Sequence, residues 1–262
     1  MTDLLIADVN NSRKVTDWKA YRAFSPIVIA KMTQGTGYVA PTFRPHRDGA
    51  RDNGIKAFGM YHFWEPGDDP VAQAKNAIAA VGQLRKQPVE WLILDVETGT
   101  DFDEYEVFCK QADVALGGIT WLYGGRQMKG KLPHRPRWVA RYPKAKQPDP
   151  KFQPGIGEVL WQFTDAQTVP GVTPSSADCS VYRGTAQDLI TFIGGGRMAT
   201  LDADDLKAIE DIVRSALNEG TGAGQASWAN TSKAILANVQ GNHNTLNAIQ
   251  STLDKHVQKD VV

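Results

Sequence analysis

The 262-residue chain has little of what marks several protein classes. It has only 2 cysteines, Cys109 and Cys179. That is too few for a disulfide framework or a cysteine metal cage, and both read as free thiols of a protein made in a reducing cytosol. Neither sign of charge is in surplus, since 29 Lys and Arg stand against 29 Asp and Glu. A protein that grips a phosphate backbone usually carries a basic excess, so nucleic acid is not an expected partner. The longest apolar runs, such as Pro26–Ala30 and Trp91–Leu94, fall far short of the roughly 20 residues that span a bilayer. No membrane insertion is expected. Met1-Thr2-Asp3-Leu4-Leu5-Ile6 has no basic start and meets Asp8 almost at once, so it reads as a first strand and not as a signal peptide. The 5 histidines, His46, His62, His134, His243 and His256, show no metal-binding spacing. A Gly-x-Ser-x-Gly elbow and a phosphate loop are also lacking. No metal or cofactor is expected, and a zinc amidase would lack its ligands.

What is present is an ordinary globular composition, with 42% hydrophobic, 9% aromatic and 22% charged residues. Such a chain can bury a full core without disulfides. Short apolar runs recur at Leu4–Ala7, Ile27–Ala30, Ala57–Phe63, Trp91–Leu94, Ile119–Tyr123, Arg137–Ala140 and Val159–Phe163. Strands apolar on both faces belong to a parallel sheet covered by helices. Between them, Pro70 to Leu84 carries Val71, Ala74, Ile78 and Val81 at helical spacing behind a capping Asp69, and Phe102 to Leu116 does the same with Tyr105, Phe108, Ala112 and Ala115. This alternation predicts an α/β barrel or a doubly wound sheet. After Arg137 the connections are proline-rich, as in Pro143 to Pro154, so the second half is not expected to be regular βα units.

The predicted domains are a barrel over 1–193, a linker over 194–200 that starts at Gly194-Gly195-Gly196, and a helical tail over 201–262. The tail holds two amphipathic patterns. The second, Ile235, Val239, Asn242, Leu246, Ile249, Leu253 and His256, is a heptad seam with polar interruptions. It suggests self-association through the C-terminal helices, or a hairpin packed on the barrel.

The strongest chemical feature is Leu94-Asp95-Val96-Glu97-Thr98, directly after an apolar run. Residues two apart on a strand share a face, so Asp95 and Glu97 project together from a buried strand end. Crowding and desolvation should raise at least one pKa. The arrangement suits a general acid beside a second carboxylate, as in glycoside hydrolysis, or else a loop-anchoring pair. Asp8 ends the first run in the same way, and barrels gather polar residues at strand C-termini. Asp178 follows the loop after Trp161-Gln162-Phe163. Tyr61, Phe63, Trp64, Trp138, Tyr142 and Trp161 lie near these positions; some should stack on sugar rings and the others pack in the core.

Taken in order, Ala7-Asp8-Val9, Ile29-Ala30-Lys31-Met32-Thr33-Gln34-Gly35, Gly59-Met60-Tyr61-His62-Phe63, Leu94-Asp95-Val96-Glu97, Trp138-Val139-Ala140-Arg141-Tyr142, Trp161-Gln162-Phe163 and Asp178-Cys179-Ser180-Val181-Tyr182 resemble glycoside hydrolase family 25, the phage and bacterial N-acetylmuramidases. The resemblance covers residues 3 to 193. It implies a modified β/α barrel of five βα units followed by three further strands, here with a C-terminal helical appendage. It implies hydrolysis of the β-1,4 bond between N-acetylmuramic acid and N-acetylglucosamine in bacterial peptidoglycan. Glu97 becomes the proton donor, Asp95 its partner, and Asp8 and Asp178 complete an acidic cluster. Tyr61, Trp64, Trp138, Tyr142 and Trp161 become substrate-binding candidates. Two positions depart from the family pattern: Gln34 stands where a glutamate is usual, and Ser180 where an asparagine is usual. Asp95 could attack the anomeric carbon, or the substrate's 2-acetamido oxygen could do so with Asp95 orienting it; the short strand end shared by Asp95 and Glu97 favours assistance. The reading from a different class is a catalytically silent peptidoglycan-binding barrel. A phage endolysin without a signal peptide would stay in the host cytoplasm until a holin-type lesion released it.

Overall fold

The computed structural model describes residues 3–144, 147–148 and 157–194. Strand β1 (Leu4–Val9) is followed by the two-residue β2 (Lys14–Val15) and helix α1 (Trp18–Phe24). Then come β3 (Ile27–Gln34), β4 (Tyr38–Val39), α2 (Phe43–Asp52), β5 (Ala57–Phe63) and α3 (Pro70–Val81). Next are β6 (Val89–Val96), α4 (Phe102–Leu116), β7 (Trp121–Gly124) and β8 (Arg137–Ala140). Last are β9 (Glu158–Thr168), β10 (Val172–Thr173), β11 (Ser176–Tyr182) and α5 (Ala186–Ile193).

Eight strands close a barrel in the order β1, β3, β5, β6, β7, β8, β9, β11 and back to β1. All neighbours are parallel except β11, which runs antiparallel to both β9 and β1. Of the two α/β architectures that the alternation allows, the barrel is the one formed. Among the parallel strands four, β1, β3, β5 and β6, carry a following helix. The fifth unit, β7, is followed only by a 3₁₀ turn at Arg126–Met128. Gly124, Gly125 and Gly130 crowd that segment, and glycine is a poor helix former.

The helices are capped as their sequences dictate. Asp69 accepts a hydrogen bond from the Ala72 N–H at 2.7 Å, with Pro70 in the first turn of α3. Asp101 does the same for Glu104 at 3.1 Å, and α4 stops at Gly117, whose φ of 68° is left-handed. Helix α3 ends at Val81, three residues earlier than the periodicity predicts, because Gly82 leaves the helix with φ 68°. The strand expected over Ile119–Tyr123 is Trp121–Gly124, and Ile119 is exposed. The main core lies between the sheet and its helices and includes Val28, Phe58, Leu92, Tyr105 and Phe108.

The barrel lies in one compact unit, Met1–Ile190. Beyond Gly194, the predicted linker and the helical tail over 201–262 lie outside the described residues, as does most of the proline-rich connection before β9.

Candidate active site

Alternation along the barrel strands builds the site. Side chains two apart point to one face. Ile6 is therefore followed inward by Asp8 on β1, Ile29 by Lys31 on β3, Gly59 by Tyr61 on β5 and Ile93 by Asp95 on β6. The residues between them, Ala7, Ala30, Met60 and Leu94, face the core under the helices. Gly59 is small for a reason: a Cβ there would come within 2.6 Å of the Trp91 ring and 2.9 Å of Ile29. Above this apolar layer opens a cleft of about 350 Å³ at the C-terminal ends of the parallel strands. Asp8, Lys31, Tyr61 and Asp95 line it, together with Tyr123 of β7, Trp138 of β8, Gln162 of β9 and Asp178 of β11. Asn10, Asn11, Ser12, Phe63, Glu97 and Tyr142 complete the wall.

The four predicted carboxylates meet here but differ in environment. Asp8 and Asp178 are cross-strand partners in the β1–β11 register, and their side chains hydrogen-bond each other. Asp8 is 5% exposed. Burial, and then the charge of Asp178, hold its carboxyl well above the usual carboxylate range, against the opposing hydrogen bond from Gln162. Asp178 is half-buried on β11, the strand that follows the loop after β9. Burial raises its carboxyl too, opposed by the guanidinium of Arg13. Asp95 is 6% exposed, and its Oδ1 has no hydrogen-bond partner among the described residues. Burial is again the largest cause of an upward shift, followed by the charges of Glu97 and Asp8; Lys31 opposes them. The rise expected of the Asp95/Glu97 pair is thus found at Asp95, with burial outweighing the neighbour. Glu97 stands one residue beyond β6 and is exposed.

Three of the five predicted aromatic contacts reach the cleft: Tyr61, Trp138 and Tyr142. Tyr142 is 51% exposed, whereas the Trp138 indole is buried and donates to Ser180 Oγ at 2.8 Å. Trp64 and Trp161 do not line the cleft. Trp64 is buried in the main core, edge-on to Tyr105 with ring centroids 5.2 Å apart. Trp161 packs with Val139 and Phe163 in a second cluster, and its indole donates to the Arg141 carbonyl at 2.6 Å. Strand parity explains both. Phe63 and Gln162 take the inward positions, so their neighbours Trp64 and Trp161 face away.

Lys31, Tyr123 and Gln162 line the site but were not singled out from the sequence. A signal existed: each sits one step of two beyond an inward apolar residue. The Lys31 ammonium lies 4.7 Å from the Phe63 ring centroid and is held by Gln34 Oε1. Partial burial lowers its pKa, against the pull of Asp95, Glu97 and Glu65. Gln34 in turn donates to the Glu65 carboxylate, so a neutral amide bridges the ammonium and an acid. His62 is buried between Thr33 Oγ1 (2.8 Å from Nδ1) and Gln73 Oε1 (3.1 Å from Nε2). Gln73 Oε1 also accepts the Glu65 N–H, so His62 Nε2 is the donor and Nδ1 accepts. Burial pushes this imidazole down to about 4. Among the described residues no three His, Cys, Asp or Glu side chains are grouped to hold a metal ion, and no helix is long and apolar enough to cross a membrane.

A family model for glycosyl hydrolases family 25 matches residues 7–172. The chain belongs to glycosyl hydrolase family 25. The family is one of glycoside hydrolases, the enzyme class that the paired carboxylates suggested. Asp8, Asp95 and Glu97 lie inside the matched span, and Asp178 lies beyond it. The chain is 22% identical to the autolytic lysozyme of Clostridium acetobutylicum over 223 residues, which are 81% of this chain and 65% of that protein. It thus spans a little less than two thirds of this curated relative. The bacterial lysozyme of Streptomyces coelicolor has the same fold with a TM-score of 0.64, at 19% identity over 75% of this chain and 99% of that one. So does the catalytic domain of the endolysin ply40 from bacteriophage P40 of Listeria monocytogenes, with a TM-score of 0.58 at 22% identity over 73% of this chain and 97% of that one.

Proposed function

We propose that this family 25 barrel is an N-acetylmuramidase that cuts the β-1,4 bond between N-acetylmuramic acid and N-acetylglucosamine in peptidoglycan. The observation that carries it is the division among the four cleft carboxylates: Asp8, Asp95 and Asp178 are wholly or partly buried, and Glu97 alone is exposed. An exposed acid can reach the glycosidic oxygen of a long polymer. Glu97 donates its proton to that oxygen as the bond to the anomeric carbon breaks. The muramic residue's own acetamido carbonyl oxygen attacks the anomeric carbon from the opposite face and forms an oxazolinium ring. A water then opens the ring and gives its proton to Glu97. Asp95 supports assistance over direct attack, since a buried carboxyl whose charge is disfavoured is a poor nucleophile. Its Oδ1, which has no partner among the described residues, is available to accept the acetamido N–H. A barrel that only binds glycans would have no use for such an acid.

The names of the relatives, an autolytic lysozyme and a phage endolysin among them, support peptidoglycan as the substrate. Reducing-end analysis of digested peptidoglycan tests the reading. New reducing N-acetylmuramic acid ends are expected. Reducing N-acetylglucosamine ends would mean a glucosaminidase, and amino termini without reducing ends would mean an amidase. Action as a phage endolysin, released from the host cytoplasm through a holin-type lesion, is part of the same proposal. Expressed alone in a bacterial host, the protein should then stay inside with its N-terminus uncleaved. Self-association through the heptad seam of the tail would present several barrels to one wall, and light scattering with and without residues 197–262 checks it.

A further inference from the structure

One well-connected residue of the cleft has no catalytic role in this scheme. Gln162 sits on β9 and is 3% exposed. Its Nε2 donates to Asp8 Oδ2 at 2.9 Å. Its Oε1 accepts two hydroxyl protons, from Tyr123 at 2.6 Å and from Tyr142 at 2.6 Å. Side chains from β1, β7 and the segment just after β8 therefore converge on one carboxamide.

A carboxamide donates only from nitrogen and accepts only at oxygen, so this geometry has two consequences. Asp8 Oδ2 is an acceptor and carries no proton. The proton of the Asp8–Asp178 pair then belongs in the hydrogen bond that the two carboxyls make with each other. Each tyrosine has also spent its only proton on Gln162, so towards the cleft both phenol oxygens can only accept. We propose that Gln162 is a positioning residue that directs the proton of the Asp8–Asp178 pair to the Asp178 side. By the same bonds it turns Tyr123 and Tyr142 into an acceptor wall for the hydroxyl and N–H donors of a sugar. The inference deepens the muramidase reading and rests on it for the identity of the sugar. Any neutral, donor-rich pyranose with an acetamido group fits such a wall, and a ligand edge made of acceptors does not.

The charged groups around the pair are Arg13 and Asp165 beside Asp178, Glu97 and Asp95 from the β6 end, and Lys31 beyond Asp95. Buried phenols of Tyr21 and Tyr61 and the Cys179 thiol border Asp8. None of these donates to Asp8 Oδ2 in the way Gln162 does. The hydrogen bond from Gln162 favours the charged form of Asp8, and it opposes burial there.

The test compares Gln162→Glu with Gln162→Leu. The first is isosteric with the amide. When protonated, its carboxyl can donate to Asp8 and still accept from both tyrosines; when ionised, it can donate nothing and adds a charge. Relative to wild type at each pH, release of reducing ends by Gln162→Glu should be near normal at the acid end. It should fall at least about tenfold as the introduced carboxyl ionises. Gln162→Leu should lose that much at every pH. A merely structural role would give equal losses at all pH values in both variants, or none per folded molecule, and would overturn the proposal. A second readout does not depend on activity: carboxyl NMR titration of ¹³C-aspartate-labelled protein, with Asp8 assigned by its Asn variant. The Asp8 midpoint should rise in Gln162→Leu, because the donor to its charged form is gone. An unchanged midpoint in the folded variant would refute the role of Gln162. If wild-type protein released no reducing ends while the Asp8 midpoint still rose in Gln162→Leu, the muramidase reading would fall and the Gln162 inference would stand.

Discussion

At the end of the barrel opposite the cleft, Glu90 on β6 is clamped by Arg47 of α2. Arg47 Nε and an Nη of the same guanidinium donate to the two Glu90 carboxylate oxygens at 2.8 and 2.6 Å. The same guanidinium donates to the carbonyls of Val81 and Gln83 at 2.8 and 2.7 Å, and the Arg85 N–H donates to Glu90 at 2.7 Å. The two side chains are 3% and 0% exposed. Removing one member of such a pair strands the other charge in the interior, which costs about 3–5 kcal/mol. For a domain of this size each kcal/mol moves Tm by roughly 2–4 °C, so Glu90→Gln should melt about 6–20 °C lower. Glu90 lies five residues from Asp95 on an extended strand, roughly 17 Å away at ~3.3 Å per residue. The chemistry should therefore survive, with kcat of the folded variant within about twofold of wild type. The double variant Arg47→Met, Glu90→Leu should recover most of the loss, because a well-packed apolar pair can replace a buried ion pair. Circular dichroism melts and reducing-end kinetics at 25 °C check both claims. A Tm drop under about 2 °C, or a double variant no better than the single, would refute the reasoning.

Burial holds Asp8 and Asp95 above the ordinary carboxylate range. Their protonated forms therefore favour folding, a contribution complete below about pH 4 and lost as pH rises. Asp8→Asn, which cannot ionise, should raise Tm at pH 7 and lose that advantage below about pH 4; a lower Tm at pH 7 would contradict this. His62 behaves oppositely: its neutral form is the one accommodated, so its contribution is complete above about pH 6.5 and lost as pH falls through about 4. An NMR titration should find this imidazole neutral down to about pH 4, and a midpoint near its ordinary value would count against the buried network. Cell-wall lysis should be unchanged in EDTA, and a loss restored by zinc would point to metal chemistry.

The parts of the fold that rest on a repeating apolar pattern were legible in the sequence. Helix α4 is legible with its observed bounds and α3 with its capping aspartate, because apolar residues recur along each at helical spacing even though α3 also buries Gln73. Helix α2 was not predicted, since the face it buries includes His46 and Arg47 beside Phe43 and Ala50, so no apolar stripe shows. Strand β11 was missed as a strand because its inward positions are polar: Asp178 and Ser180 interrupt the apolar residues. Asp8, Asp95 and Glu97 could be placed because strand ends in a barrel converge; Asp178 came only with the family resemblance. Trp64 and Trp161 could not be sorted from Tyr61 and Trp138 by residue type, because only register decides which way each ring faces. Lys31, Tyr123 and Gln162 become visible once inward parity is counted from Ile29, Trp121 and Leu160, and that count needs the barrel first.

The central claim is that Glu97, the exposed carboxylate of an otherwise buried acidic cluster, supplies the proton to the leaving sugar. Its most direct test is the rate of reducing-end release from purified peptidoglycan by Glu97→Gln, measured beside circular dichroism of the same preparation. An amide of the same shape cannot donate that proton, and general acid catalysis contributes about 10²–10⁴-fold. The account predicts a folded protein, still bound to the polymer, whose rate has fallen by that factor. A folded Glu97→Gln that releases reducing ends at near the wild-type rate would contradict it.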